Sequence, residues 1–240
     1  AIQPHSVPGC ARWRRACVGG MSPAAVRILA ALLPVLAGAA REGVSSGARS
    51  GSVPSTIDYA QEAQDVVDCA KSEALPAQVT LIPSDTAVGL TVSRSVACFM
   101  KVVQSMAEEG DEAEQDVEIP LAKVDSDTLG LIVSFAERKL KGAGADLQGL
   151  NFSVVPRPLS GPLRETESIS KEDAAFMDEI AEDLDRLIRL TNAVNFVDSP
   201  PLLELCAARI AQMLIGKTPK EIREVFPEAF GSEASAPATS

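Results

Sequence analysis

Short runs rich in β-branched and apolar residues, Val79 to Ile82 and Val88 to Val92, predict two strands joined by the Pro83-Ser84-Asp85-Thr86 turn as a β-hairpin. From Ser93, a residue suited to cap a helix, Val96, Phe99, Met100, Val103 and Met106 recur at helical spacing and predict one helix to about Ala107. Ile119 to Leu121 reads as a third strand. Val124 to Leu140 reads as a helix turning Leu129, Ile132, Val133 and Ala136 inward. The period then disappears from Ala143 to Ser168, where glycine, proline and polar residues predict a long linker or crossover.

Periodicity resumes at a Ser170/Asp173 cap. Phe176, Ile180, Leu184, Leu187, Ile188 and Val194 carry one helical face toward Asp198. Pro200 and Pro201 open a second helix, whose apolar positions run from Leu202 to Leu214. A third, short helix has the most sharply punctuated start in the chain. Thr218 caps it, Pro219 presets its first φ, and Glu221 sits where its carboxylate reaches back to the cap, a capping box. Ile222, Val225 and Phe226 share one face, and Pro227 stops the helix. So short a helix needs a neighbour to lean on. Three helices are therefore expected to close an α+β chain.

The Gly216-Lys217-Thr218 triplet invites a nucleotide-binding reading, and the surrounding residues refuse it. A phosphate loop needs glycine five places earlier, where this chain has Ala211, and a strand before the loop, where this chain has helical spacing. The chain holds 240 residues, 46% of them apolar, enough for one or two domains with a core. Its net charge of -11 opposes nucleic acid, whose phosphates demand clustered Lys and Arg. Much of that acidity is local: seven of the eleven residues from Glu108 to Glu118 are acidic, as in a solvated loop. The five cysteines, Cys10, Cys17, Cys69, Cys98 and Cys206, form no C-x-x-C pair, so reduced thiols are expected. Cys98 and Cys206 fall on apolar helix faces and read as buried. The one histidine, His5, lies far from the patterned regions, which leaves no catalytic or metal constellation there. No cofactor and no small-molecule substrate are expected.

Residues 1–77 differ from the rest, being interleaved with Pro, Gly, Ser and Ala, and read as an extension. Within them Met21 to Ala40 has an arginine, a short apolar run and small residues, as a secretory signal does. Secretion or anchoring through this run is the secondary reading of localisation. Asp58 to Leu75 would form one amphipathic helix through Ala60, Ala63, Val66, Val67 and Ala70, and Trp13 and Tyr59 would be incidental to the core.

From Val79 to Phe226 the chain resembles the S-phase-kinase-associated (Skp) adaptor family. The residues that carry this are P-S-D-T-A at the hairpin, the acidic loop before Ile119-Pro120-Leu121, L-I-R-L-T-N-A-V-N-F, and Met213 to Phe226 with its G-K-T-P-x-E-I-R. The resemblance implies a BTB/POZ-like small sheet with helices over 78–142, a linker over 143–170, and a helical F-box-binding domain, also a dimerisation domain, over 171–227. A polar tail occupies 228–240. Members of this family bridge a cullin to F-box proteins in Skp-Cullin-F-box ubiquitin ligases and perform no chemistry, which implies a cytoplasmic and nuclear adaptor. A homodimer is implied where no F-box is bound. The F-box candidates carried over are Leu202, Leu203, Cys206, Ile210, Met213, Ile222 and Phe226, and the cullin candidates are Asn192 and Ala193. At Ala193 the family commonly has an aromatic residue, in an N-x-L-D-I-like motif, and Asp198 to Pro201 reads as an insertion of about three residues. A further helix that family members place after G-K-T-P is replaced by G-S-E-A-S-A-P-A-T-S from Gly231, which implies weaker F-box capture. Elongin-C-like adaptors share the sheet unit without the G-K-T-P helix, and a self-associating BTB-like scaffold without a ligase role is the alternative of a different class.

Overall fold

The computed structural model describes residues 57–72, 75–108, 117–159 and 161–226. The extension before Ile57 with its apolar run at 21–40, the acidic loop at 109–116, Pro227 and the 228–240 tail lie outside the described residues. The architecture is α+β, as the hydrophobic pattern implies. Helix α1 (Tyr59–Lys71) precedes strands β1 (Gln78–Pro83) and β2 (Leu90–Ser93), two short helices α2 (Arg94–Ala97) and α3 (Lys101–Glu108), strand β3 (Val117–Leu121) and helix α4 (Ser126–Ala143). After an irregular crossover come α5 (Lys171–Ile180), α6 (Leu184–Val197), α7 (Pro200–Leu214) and α8 (Pro219–Val225).

The sheet has the order β2-β1-β3. β1 pairs antiparallel with β2, Val79 facing Val92, and parallel with β3, Leu81 facing Ile119. Alternation does the sorting: Val79, Leu81, Ile119 and Leu121 all point into the core. Pro120 falls on an edge strand, the one place where a missing ladder donor is tolerated. β2 starts at Leu90, later than the sequence suggests; Gly89 just before it is pressed against β1, where a Cβ would stand 2.3 Å from Thr80 Cγ2. The Pro83-Ser84-Asp85-Thr86 stretch is more than a turn. Asp85 accepts from the Ser126 backbone N–H at 2.9 Å and the Ser126 hydroxyl at 2.7 Å, while Ser84 N–H donates to the Val124 carbonyl at 2.8 Å. The loop thus stitches the sheet to the start of α4, whose own cap is Asp125.

Two long helices expected from the sequence are each broken in the structure. The first stops at Ala97 and restarts at Lys101, because Cys98, Phe99 and Met100 are all buried. Three consecutive side chains on a one-faced helix span too wide an arc to be buried together, so the chain makes a tight turn instead. The second divides at Ala181–Asp183, where Asp183 accepts from the backbone of Asp185 and Arg186 and starts α6. Ile180, Leu184 and Leu187 keep helical spacing across the break, which hides it from a periodicity reading; four helices rather than three close the described chain.

The aperiodic stretch after α4 buries Leu150, Phe152, Val155, Leu159 and Leu163 and is built into the core. Phe152 meets Phe99 edge to face at 5.9 Å between centroids. Ser168 closes the loop by donating its hydroxyl to the Val154 carbonyl at 2.7 Å. The α1 helix is shorter than expected but keeps most of the expected face: Ala63, Val66 and Val67 are buried and Ala70 is half-buried, while Tyr59 takes the inward place expected of Ala60, which is exposed. Tyr59, read from the sequence as incidental, belongs to the core. The expectation of reduced thiols is also overturned for one pair. Packing of α1 against α2 brings Cys69 and Cys98 to a Cα–Cα distance of 5.9 Å, and they form a disulfide. No helix among the described residues is long and apolar enough to cross a membrane.

Candidate functional site

The three helices α6, α7 and α8 carry every residue singled out from the sequence. α7 is packed by α6, by α5 and by α1, so its buried residues extend beyond a single stripe: Leu202, Leu205, Cys206, Ala208, Ile210, Ala211 and Leu214. Arg157, from the crossover, clamps its outer side through both carboxylate oxygens of Glu204, at 2.6 and 2.7 Å. Asp178 of α5 pairs with Arg164 and lies 3.4 Å from Arg209. These contacts make α7 a fixed platform.

The F-box candidates divide on this platform. Leu202 and Cys206 have no exposed surface and Ile210 is 3% exposed, so they are core residues that meet a partner only if α7 moves. Leu203 and Met213 are half-buried on α7, and Ile222 and Phe226 are half-buried at α8. Ile215, in the turn between the two helices, is 48% exposed. The turn itself needs Gly216, which takes a positive φ of 77°. Beyond it α8 is held in register by its capping box: Thr218 N–H donates to the Glu221 carboxylate at 2.7 Å and Glu221 N–H to the Thr218 hydroxyl at 3.4 Å. The Thr218 backbone N–H first, and then the Thr218 hydroxyl, which donates to the same carboxylate at 2.7 Å, hold the Glu221 carboxyl below its ordinary range. None of the residues of α8 is fully buried, and its apolar side, at Ile222 and Val225, is only half covered.

Cys206 shows the opposite environment. Burial pushes its thiol up to about 12, against a smaller opposing influence from Thr191, and leaves it neutral and inert as a nucleophile at neutral pH. It is the free cysteine among the described residues.

The cullin candidates are also separated. Asn192 is exposed, but Ala193 is 2% exposed and faces the core. An aromatic side chain has no room there. Three residues further along, the chain reads Asn195-Phe196-Val197-Asp198, an asparagine, aromatic, aliphatic, aspartate run that the Asn192 segment lacks. Here the aromatic ring is half-exposed with Lys123 Nζ 5.6 Å above its centroid, and Asp198 closes the helix with a φ of 54°. This run of asparagine, aromatic, aliphatic and aspartate is legible in the sequence, behind the earlier Asn192.

A sequence model described as the Skp1 family, dimerisation domain, matches residues 200–227, from the start of α7 to just past α8. Across a longer stretch the chain is similar to the E3 ubiquitin ligase complex SCF subunit sconC of Talaromyces marneffei, 30% identical over 149 residues, 62% of this chain and 83% of that protein. It is 27% identical over 148 residues to the SCF ubiquitin ligase complex protein SKP1b of Dictyostelium discoideum, 62% of this chain and 82% of that one. It is also 29% identical to the suppressor of kinetochore protein 1 of Schizosaccharomyces pombe, over 65% of this chain and 89% of the relative.

Proposed function

Because the chain belongs to the Skp1 family, we propose that it is the adaptor subunit of a Skp-Cullin-F-box ubiquitin ligase, joining a cullin to F-box substrate receptors. Its role is non-catalytic: it contributes binding surfaces, and ubiquitin transfer takes place on other subunits. The observation that carries this reading is the α7–α8 pair, a rigid buried helix followed by a capped short helix whose apolar side is only half covered. Amphipathic helices of an F-box dock by laying an apolar stripe against such a face. Leu203, Met213, Ile222 and Phe226 provide that face, with Leu202, Cys206 and Ile210 supporting it from beneath.

The cullin contact is assigned to the exposed side of α6, with Asn192 and Phe196 as its contact residues and Ala193 as internal packing. Both partner surfaces then lie on the helical tail, the cullin contact on α6 and the F-box face on α7 and α8, and the adaptor works in the cytoplasm and nucleus. The test is co-precipitation of the full chain with an F-box protein and with a cullin N-terminal domain, separately and together. A ternary complex is expected. Ile222→Asp should lower F-box capture at least tenfold and spare the cullin, whereas Phe196→Ala should do the reverse. A folded chain that captures neither protein overturns the reading.

A further inference from the structure

Helix α1 lies outside the stretch that resembles the family, and its contacts with the body include a bond from the Val155 N–H to the Tyr59 hydroxyl at 3.5 Å. It packs on α2 and against α7 with Tyr59, Ala63, Val66 and Val67. Lys101 Nζ reaches Glu62 at 2.7 Å, and Arg94 donates to the Ser72 carbonyl at 2.6 Å just beyond the helix end. A cavity of about 300 Å³ remains between helix and body, bordered by Glu62, Asp65, Cys98, Phe99, Lys101 and Phe152. The packing is therefore incomplete on the side of the cavity, and the covalent bond between Cys69 and Cys98 spans that same seam. The two cysteines differ in exposure: Cys69 is half-buried, Cys98 is 1% exposed. At thirteen residues, α1 has about the length at which an isolated helix is marginal in water.

We propose that the Cys69–Cys98 bond is a thiol–disulfide latch that holds α1 across the seam between the sheet unit and α7 when oxidised and frees it when reduced. This goes beyond the adaptor reading and does not rest on it. In the opening step a thiolate of a dithiol reductant attacks the sulfur of the more exposed Cys69, a mixed disulfide forms, and Cys98 leaves as a thiolate that takes up a proton. The second thiol of the reductant then displaces Cys69, closing the reductant into a cyclic disulfide. Two electrons and two protons end on the protein. The freed helix loses its tether and uncovers Phe99, Val66 and the first turn of α7 at Pro200 and Pro201, which border the cavity.

The test uses the full chain, air-oxidised or treated with dithiothreitol, with peptide mapping after alkylation and hydrogen–deuterium exchange on both forms. The oxidised chain should yield a linked Cys69–Cys98 peptide. Reduction should speed exchange over residues 60–71 at least tenfold while α4 and α6 stay protected, and Cys69→Ser should reproduce this without reductant. The proposal is overturned if the oxidised chain has no such linkage or pairs these cysteines elsewhere. Unchanged protection of α1 on reduction also overturns it, as does faster exchange across α4 and α6 alike, because the bond would then serve the whole fold.

Discussion

Only three positions separate Ala193 from Phe196 on α6, yet Ala193 is sealed in the core and Phe196 holds its ring half in solvent beneath Lys123. Restoring an aromatic at the first position therefore does not restore a partner contact. Ala193→Tyr should cost about 1–3 kcal/mol by overpacking, read as a lower urea midpoint, with no gain in cullin affinity. Phe196→Ala should weaken cullin binding by about 2 kcal/mol, on the order of thirtyfold by titration calorimetry.

The divided F-box candidates make a paired comparison. Leu202→Ala removes a side chain with no exposed surface and should destabilise the chain by about 2–5 kcal/mol. Ile222→Asp, on a helix with no buried residue, should leave the thermal midpoint within a few degrees while F-box affinity falls. If the two variants lose stability equally, α8 is more firmly packed than its exposure indicates.

Lys139 and Asp173 form the most enclosed ion pair that ties α4 to α5. The ammonium lies 2.5 Å from the carboxylate, which also accepts from the Ser153 hydroxyl of the crossover, and both side chains are nearly buried. Lys139→Met strands the carboxylate and should cost about 3–5 kcal/mol in chemical denaturation. The double variant Lys139→Met, Asp173→Leu should recover much of that loss, because neither member of this pair is then left as an unpaired buried charge.

The thiol of Cys206 predicts a response to alkali. Its folded value, about 12, is above the ordinary 9.0, so its contribution to stability is intact below pH 9 and is lost as the pH rises toward 12. Cys206→Ala should remove that part of the alkaline decline while lowering stability at neutral pH through the cavity it leaves. Denaturant midpoints of both proteins between pH 7 and 10.5 would check it. A thiol reagent should label Cys206 only under unfolding conditions.

Elements with a strong local period were legible in the sequence: the sheet strands, α4, α7 and the α8 capping box all lie where the residue spacing placed them, to within a few positions. What escaped it depended on contacts distant along the chain. Tyr59 enters the core because α1 meets α2 and α7, and the Cys69–Cys98 bond follows from the same packing, with no spacing rule to announce it. The stretch from Ala143 read only as a long linker or crossover, and its core residues went unseen because irregular backbone buries residues without a period, as Leu150, Phe152 and Val155 do. At the candidate site, an apolar residue in a helix packed on several sides reads the same whether it is sealed in the core or left half-buried at the surface. Leu202 and Ile222 illustrate the two outcomes.

The two seams of the sheet are unequal along the chain. Leu81 faces Leu90 nine positions on, but Ile119 thirty-eight positions on. The first seam closes a small loop, and the second must gather α2, α3 and the acidic loop before any ladder bond rewards the search, a much larger entropy to surrender at once. In a chain emerging from the ribosome the hairpin can therefore assemble early, whereas β3 must wait for everything between to be made. The central strand spends that interval with one flank open, a nascent-chain liability that belongs to this topology itself.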